Sequence, residues 1–251
     1  MQQKGKANAI QEAVKSAKST RSQREGLLKT AADRLHPSLT NPSFLVLRSR
    51  REIFQGWIAQ FDEKKLSILD VGGRYQPYRP LFAGRVEQYV ACDILQTDAV
   101  DVVGSGEALP FVANTFDVAI ATQVFEYFRE PHRAAAEIHA ALKPGGTLLM
   151  SVASVAPRFV DEECWRFTPA GIRATLSLFS RIEIVPETLS LGGLLRTANL
   201  GGHTFARNRF LRKLHELTAC PCLNLLGMVL ENLKLTRNDQ FAPNYSVLAV
   251  K

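Results

Sequence analysis

The sequence predicts an α/β chain built on an open, mostly parallel sheet, with a ligand site across the carboxyl ends of its strands. Three observations carry this. Leu66 to Gly73, Leu-Ser-Ile-Leu-Asp-Val-Gly-Gly, is a short apolar run ending in an acid and two glycines, the pattern of a buried strand that breaks into a tight turn open to a ligand. Val86 to Ile94 is a second apolar run that ends in an acid, and Asp93 follows Asp70 by 23 positions. That is close to the roughly 20-residue spacing that sets a carboxylate on a ribose hydroxyl. Third, later apolar runs alternate with helix-like segments, and in such sheets ligands lie across the strand ends.

The elements follow in order. Residues 1–36 hold eight Lys or Arg against three acids, most of the formal charge of +7, and few large apolar groups. They read as a basic, partly helical, solvated arm, with contact to an acidic partner or a lipid surface as the alternative. Residues 37–251 form one domain. Pro42-Ser43 opens a helix to about Phe61 in which Phe44, Leu47, Phe54, Trp57 and Ile58 make an apolar face, while Arg48, Arg50 and Arg51 fall mostly elsewhere. After the glycine turn, Pro77 and Pro80 preclude a long helix, and Tyr75 and Tyr78 either line the cleft or pack. Asp98 to Val103 and Thr115 to Thr122 are the third and fourth strands, the latter running into Gln123-Val124-Phe125-Glu126.

Pro131 opens a helix to about Leu142, with Ala134, Ala135 and Ile138 as its packing face; Lys143-Pro144-Gly145-Gly146 ends it and Thr147 to Val152 is the fifth strand. An acidic and aromatic loop leads to Thr168-Pro169, a helix start running to about Phe179, then a strand at Arg181 to Val185. Residues 188–243 are too long and too apolar for a loop. They read as two or three helices capping the cleft before the last strand, Asn244 to Val250.

Composition sets limits. No apolar run reaches the 18 or so residues that span a bilayer, so stable membrane insertion is not expected, and without an N-terminal apolar core the expected location is cytoplasmic. The body is nearly balanced in charge and lacks a basic stripe interleaved with aromatics, so no nucleic-acid partner is expected. Cysteines at 92, 164, 220 and 222 do not form paired Cys-x-x-Cys motifs, which argues for neither a metal site nor a disulfide framework. Oligomeric state is left open.

Leu69-Asp70-Val71-Gly72-Gly73, Val90-Ala91-Cys92-Asp93-Ile94, Glu107-Ala108-Leu109-Pro110-Phe111, Phe116-Asp117-Val118-Ala119-Ile120 and Leu142-Lys143-Pro144-Gly145-Gly146 fall in an order and spacing that resembles class I S-adenosylmethionine-dependent methyltransferases of the type 11 kind. The resemblance covers about residues 66 to 187. Trp165 to Gly171 and Asn238 to Tyr245 look like a bacterial subgroup associated with glycan or secondary-metabolite pathways. The resemblance implies a Rossmann-like, seven-stranded, mostly parallel sheet with helices on both faces, preceded by N-terminal helices and carrying the helical cap. It implies S-adenosyl-L-methionine as cofactor, held by Asp70, Gly72, Gly73, Asp93, Ile94, Ser105, Gly106, Glu107, Ala108, Leu109 and Gln123. Arg74 stands where the family usually has a further glycine, and Ser105 where it often has an Asp.

The implied reaction is methyl transfer to a small molecule or glycan, by O-methylation. For a hydroxyl acceptor a base helps, and Glu126, Asp161, Glu163 and His203 are candidates by position. Trp57, Tyr75, Tyr78, Trp165 and Arg166 are candidate substrate contacts. The alternative is a catalytically silent binding or assembly module of the same fold. A nicotinamide-dependent dehydrogenase is disfavoured because Gly-x-Gly-x-x-Gly does not follow the first strand.

Overall fold

The computed structural model describes residues 25–62, 65–233 and 237–251. The first part of the basic arm, 1–24, therefore lies outside the described residues. Helix α1 occupies 25–35, and α2 runs from Phe44–Ile58. The sheet is built from β1 (Leu66–Val71), β2 (Val86–Asp93), β3 (Val102–Val103), β4 (Phe116–Thr122), β5 (Leu142–Ala153), β6 (Arg181–Pro186) and β7 (Asn244–Val250), in the order β3-β2-β1-β4-β5-β7-β6. β7 is antiparallel to both neighbours and the remaining pairs are parallel. This is the Rossmann-like α/β architecture expected.

All six residues of β1 are buried, as a central parallel strand covered on both faces requires. On one face, α3 (Pro131–Ala141) and α4 (Pro169–Thr175) set Ala134, Ile138 and Ile172 against Leu148, Met150 and Val247. On the other, Phe54, Trp57 and Ile58 of α2 join Tyr78 and Phe82 over Ile68, Ile120 and Leu149. Complete burial of a side chain such as Phe54 contributes about 1.5–3 kcal/mol.

Several boundaries differ from expectation for local reasons. β3 keeps only two residues, because a turn bond from Val100 N–H to the Thr97 carbonyl (3.1 Å) takes the first half of the expected strand. α4 begins as expected, with Thr168 Oγ1 accepting from Gly171 N–H (3.2 Å), but closes at Thr175. Arg50, expected off the apolar face of α2, is buried on it, paired with a carboxylate from the end of β6.

The stretch between β6 and β7 forms three helices, α5 (Ser190–Phe205), α6 (Arg209–Leu217) and α7 (Ala219–Asn232). α7 rests on α2: Asn224 Nδ2 donates to the Leu39 and Asn41 carbonyls at 2.7 and 3.0 Å, and a Cβ on Gly227 would stand 2.6 Å from Leu45 Cδ1. α5 is tied to α7 by Asn199 Nδ2 donating to Asn224 Oδ1 (3.0 Å).

Candidate functional site

The carboxyl end of β1 turns at Gly72, whose φ of +76° is costly for residues with a Cβ. A Cβ there would also stand 2.8 Å from Val124 Cγ2, and one on Gly73 would stand 2.7 Å from the Asp70 carbonyl. The amides of Gly72 and Gly73 are held by the Cys92 carbonyl at 2.8 and 3.3 Å, which ties the turn to the end of β2.

Asp93 closes β2. Its Oδ1 accepts from Leu95 N–H (2.9 Å) and its Oδ2 from Arg74 Nε (3.1 Å). Arg74 thus uses the space of the missing glycine to neutralise the acid. Beside Asp93 stand Ile94 and Leu95, 66% and 51% exposed, an open apolar surface at a strand end. Asp70 is placed differently from expectation: it is buried beneath the turn, where its Oδ2 accepts from Tyr89 Oη (2.6 Å). Burial pushes its carboxyl up to about 7, the Tyr89 bond opposes that, and the Asp93 charge adds to it. Asp70 therefore braces the turn from below.

The loop after β3 is folded on itself. Ser105 Oγ accepts from Glu107 N–H (3.1 Å), and a Cβ on Gly106 would lie 2.5 Å from Phe128 Cζ. Glu107 Oε1 accepts from Glu130 N–H (2.6 Å), a bond that anchors the start of α3. Ala108 is exposed, and Leu109 is buried with its N–H donating to Glu137 Oε2 (3.0 Å).

β4 ends at Thr122 and is followed by Gln123, a non-glycine residue at φ +52°. The strain re-aims the chain at the strand end, where Gln123 Nε2 donates to Ser151 Oγ (3.1 Å). Next comes Glu126 in a single 3-10 turn, Phe125–Tyr127. Its Oε1 accepts from Ala153 N–H, while its buried Oε2 has no partner among the described residues. Burial raises this carboxyl to about 7 against the pull of the Ala153 bond. The Glu126 carbonyl accepts from Cys164 and Trp165 N–H at 2.7 and 3.2 Å, which fastens the acidic loop to the strand end.

Gln123, Glu126, Ala153 and Asn244 line a cavity of about 460 Å³ over the ends of β4, β5 and β7, with Arg50 and Arg196 on its wall. Arg50 is fixed by a bidentate pair with buried Glu187, Nε to Oε1 at 2.7 Å and Nη2 to Oε2 at 2.8 Å. Glu187 also accepts from Ser151 Oγ (2.6 Å) and Ser246 Oγ (2.9 Å). Burial works against the Arg50 charge, but Glu187 outweighs it and keeps the guanidinium protonated. Arg196, from α5, is 4% exposed, and its Nε and Nη1 have no partner among the described residues. Burial lowers it to about 10, so it remains a cation at neutral pH.

The expected substrate contacts divide. Trp57 is a correction: it is core, 5% exposed, with Nε1 donating to Glu183 Oε1 (3.1 Å), because it lies on the stripe of α2 that covers the sheet. Tyr78 is also core, its hydroxyl accepting from Arg50 Nη1 at 3.4 Å. Tyr75 lies under the Arg34 guanidinium of α1, 4.7 Å from the ring centroid. Trp165 Nε1 donates to the Phe128 carbonyl (2.7 Å), and Arg166 pairs with Glu163 and backbone carbonyls within the same loop. Glu163 lines the cavity, already engaged with Arg166 and Phe159 N–H (3.1 Å). His203 is a second correction: it pairs with Glu216 (3.3 Å) between α5 and α6 and does not line the cavity, because the turn at 206–208 folds α6 back onto it. Asp161, exposed, pairs with Arg158 at 3.1 Å.

The sequence reading missed Arg50, Glu187 and Arg196. Glu187 carried a usable signal, since it directly follows β6 as Asp93 closes β2.

Comparison with known proteins bears on this arrangement. Residues 69–150 match the family model described as a methyltransferase domain. No curated protein sequence gives a significant match. Among solved structures, a putative sarcosine dimethylglycine methyltransferase from Galdieria sulphuraria is 12% identical, with a TM-score of 0.51 over 82% of this chain and 88% of the other. The [4+2]-cyclase SpnF is 19% identical, with a TM-score of 0.50 over 80% of each chain. At these identities the likeness is one of fold, and a fold does not fix a reaction.

Proposed function

We propose that this chain, which belongs to the class I S-adenosylmethionine-dependent methyltransferases through its methyltransferase domain at residues 69–150, transfers a methyl group to a hydroxyl of a small molecule or glycan. S-adenosylmethionine, the cofactor of that family, supplies a methyl group on a positively charged sulfur already activated for transfer. One observation carries the reading. Asp93, the glycine turn and Glu126 with its unpartnered oxygen stand at the carboxyl ends of β2, β1 and β4, which are adjacent in the sheet.

The chain's own residues then divide the work. Asp93 accepts from ribose hydroxyls, with Arg74 sharing or releasing Oδ2. Gly72 and Gly73 leave the backbone open to the methionine part, and Ile94, Leu95 and Leu109 give the base an apolar wall. Ser105, Gly106 and Ala108 shape that wall through their loop, and Gln123 marks the border with the acceptor cavity. Glu126 Oε2 takes the acceptor's proton, and a carboxyl near 7 is matched to accepting it and passing it on at neutral pH. Arg196 offers an unpaired guanidinium to the acceptor, which favours one that carries a carboxylate or phosphate. Holding the acceptor oxygen at near-attack distance to the methyl group supplies the rest.

The test is calorimetric titration of the folded chain with S-adenosylmethionine, followed by transfer from methyl-labelled donor to a panel of glycan and small-molecule hydroxyls. Wild type and Glu126→Gln are both expected to bind donor, and wild type alone to transfer at speed. Equal transfer by both would remove Glu126 from its role. A second reading, a silent binding or assembly module, is favoured by the Arg74 to Asp93 pair, which already occupies the ribose acceptor. Folded wild-type protein without measurable donor affinity would support that module.

A further inference from the structure

Helix α6 is assembled inside out. Its Phe210, Leu211, Leu214 and Leu217 recur at the spacing of one helical face, and that face is turned to solvent: Phe210 is 73% exposed, Leu214 48% and Leu217 58%. The two residues of α6 that are not exposed are polar, His215 and Glu216. His215 Nε2 contacts the Asn199 carbonyl (3.1 Å) against Gly202, and Glu216 reaches His203 (3.3 Å). The helix thus docks on α5 through polar groups and presents leucines and a phenylalanine outward. Phe205, just before it, is 84% exposed. α7, packed on α6, leaves Leu225 and Val229 exposed as well.

Soluble monomers scatter exposed apolar residues singly, and a continuous apolar face rimmed by charge marks an interaction surface. The rim here is cationic: Arg207, Arg209, Arg212 and Lys213 stand exposed on or beside α6, against Glu216 as the acid of that helix.

We infer that α6 and the adjoining exposed apolar residues form a peripheral membrane-docking face, which lays Phe205, Phe210, Leu214 and Leu217 into the interface of a bilayer carrying anionic headgroups. An amphipathic helix with a cationic border is the form that lies in a lipid surface without crossing it. No helix among the described residues is long and apolar enough to cross a membrane, so the contact is in-plane. Charge selects this occupant over two others. A second copy seated on the same face would bring four cations against four, and the chain's own residues 1–24 add Lys4, Lys6, Lys15, Lys18, Arg21 and Arg24 against the single acid Glu12. Anionic lipid complements the rim. The face is independent of the methyl-transfer reading.

The test is flotation of the full chain with vesicles rich in phosphatidylglycerol and with vesicles of phosphatidylcholine alone. Recovery is expected with the anionic vesicles, falling with added salt. Phe210→Glu/Leu214→Glu is expected to lower partitioning by about tenfold or more, since it replaces inserted apolar groups with like charges of the lipid. Both positions are exposed, so the variant's thermal unfolding should match wild type; Arg209→Gln/Arg212→Gln offers a gentler second variant with loss of the anionic preference. Two results would overturn the inference. One is a dimer by light scattering that Phe210→Glu/Leu214→Glu disperses while vesicle recovery is absent. The other is recovery that survives both variants but vanishes when Lys15, Lys18, Arg21 and Arg24 are changed to Gln, which would assign the lipid contact to the arm.

Discussion

Replacing Arg50 by Met tests the support on which the cavity is built. The Arg50 side chain is 4% exposed and fork-bonded to Glu187 at 2.7 and 2.8 Å, with Ser151 and Ser246 hydroxyls completing the carboxylate's partners. In Arg50→Met the carboxylate stays buried without its counter-charge, and breaking a buried pair from one side costs about 3–5 kcal/mol. Removing both charges is a different perturbation. Arg50→Met/Glu187→Gln leaves a neutral amide among the same hydroxyls, and such replacements are often close to neutral, so most of the loss should return. Urea unfolding followed by circular dichroism at pH 7 reads both values. A loss below about 1 kcal/mol in the single variant, or a double variant no better than the single, would refute the pair as the element joining α2 to the strand ends.

Other consequences follow from the same geometry. Glu126 is raised from an ordinary 4.5 to about 7 by burial. The stability tied to it is therefore fully present below about pH 4.5 and lost as pH climbs through 7. Glu126→Gln should gain on wild type between pH 5 and pH 8 by up to about 3 kcal/mol, read from denaturation at the two values; an equal offset at both would contradict the burial. Gly72→Ala meets Val124 Cγ2 at 2.8 Å and a φ of +76°, so a loss of about 2–4 kcal/mol is expected, partly relieved by Val124→Ala, with melting temperature as the measure.

The strands at the centre of the sheet were legible because burial on both faces leaves nothing but apolar residues, as in Leu66 to Val71. The glycine turn and Asp93 were legible because each depends on local sequence. What escaped was long-range. Arg50 and Glu187 are 137 positions apart, and only the fold reveals that a cation on a sheet-facing helix stripe has a buried partner. Asp70 shared the signal of Asp93, a strand end with an acid, yet Tyr89 on the neighbouring strand took its carboxylate beneath the turn. Trp57 was misplaced because one apolar face serves both core and cleft in a sequence, and packing against Tyr78 and Phe82 decided for core.

Donor affinity after Asp93→Ala is the most direct measurement of the central claim, that the end of β2 holds the ribose beside the glycine turn. Titrating S-adenosylmethionine into folded wild type and variant should show binding by the first and a loss of more than about tenfold in the second, as expected when a charge-assisted acceptor is removed. Equal affinity in the two proteins would contradict it.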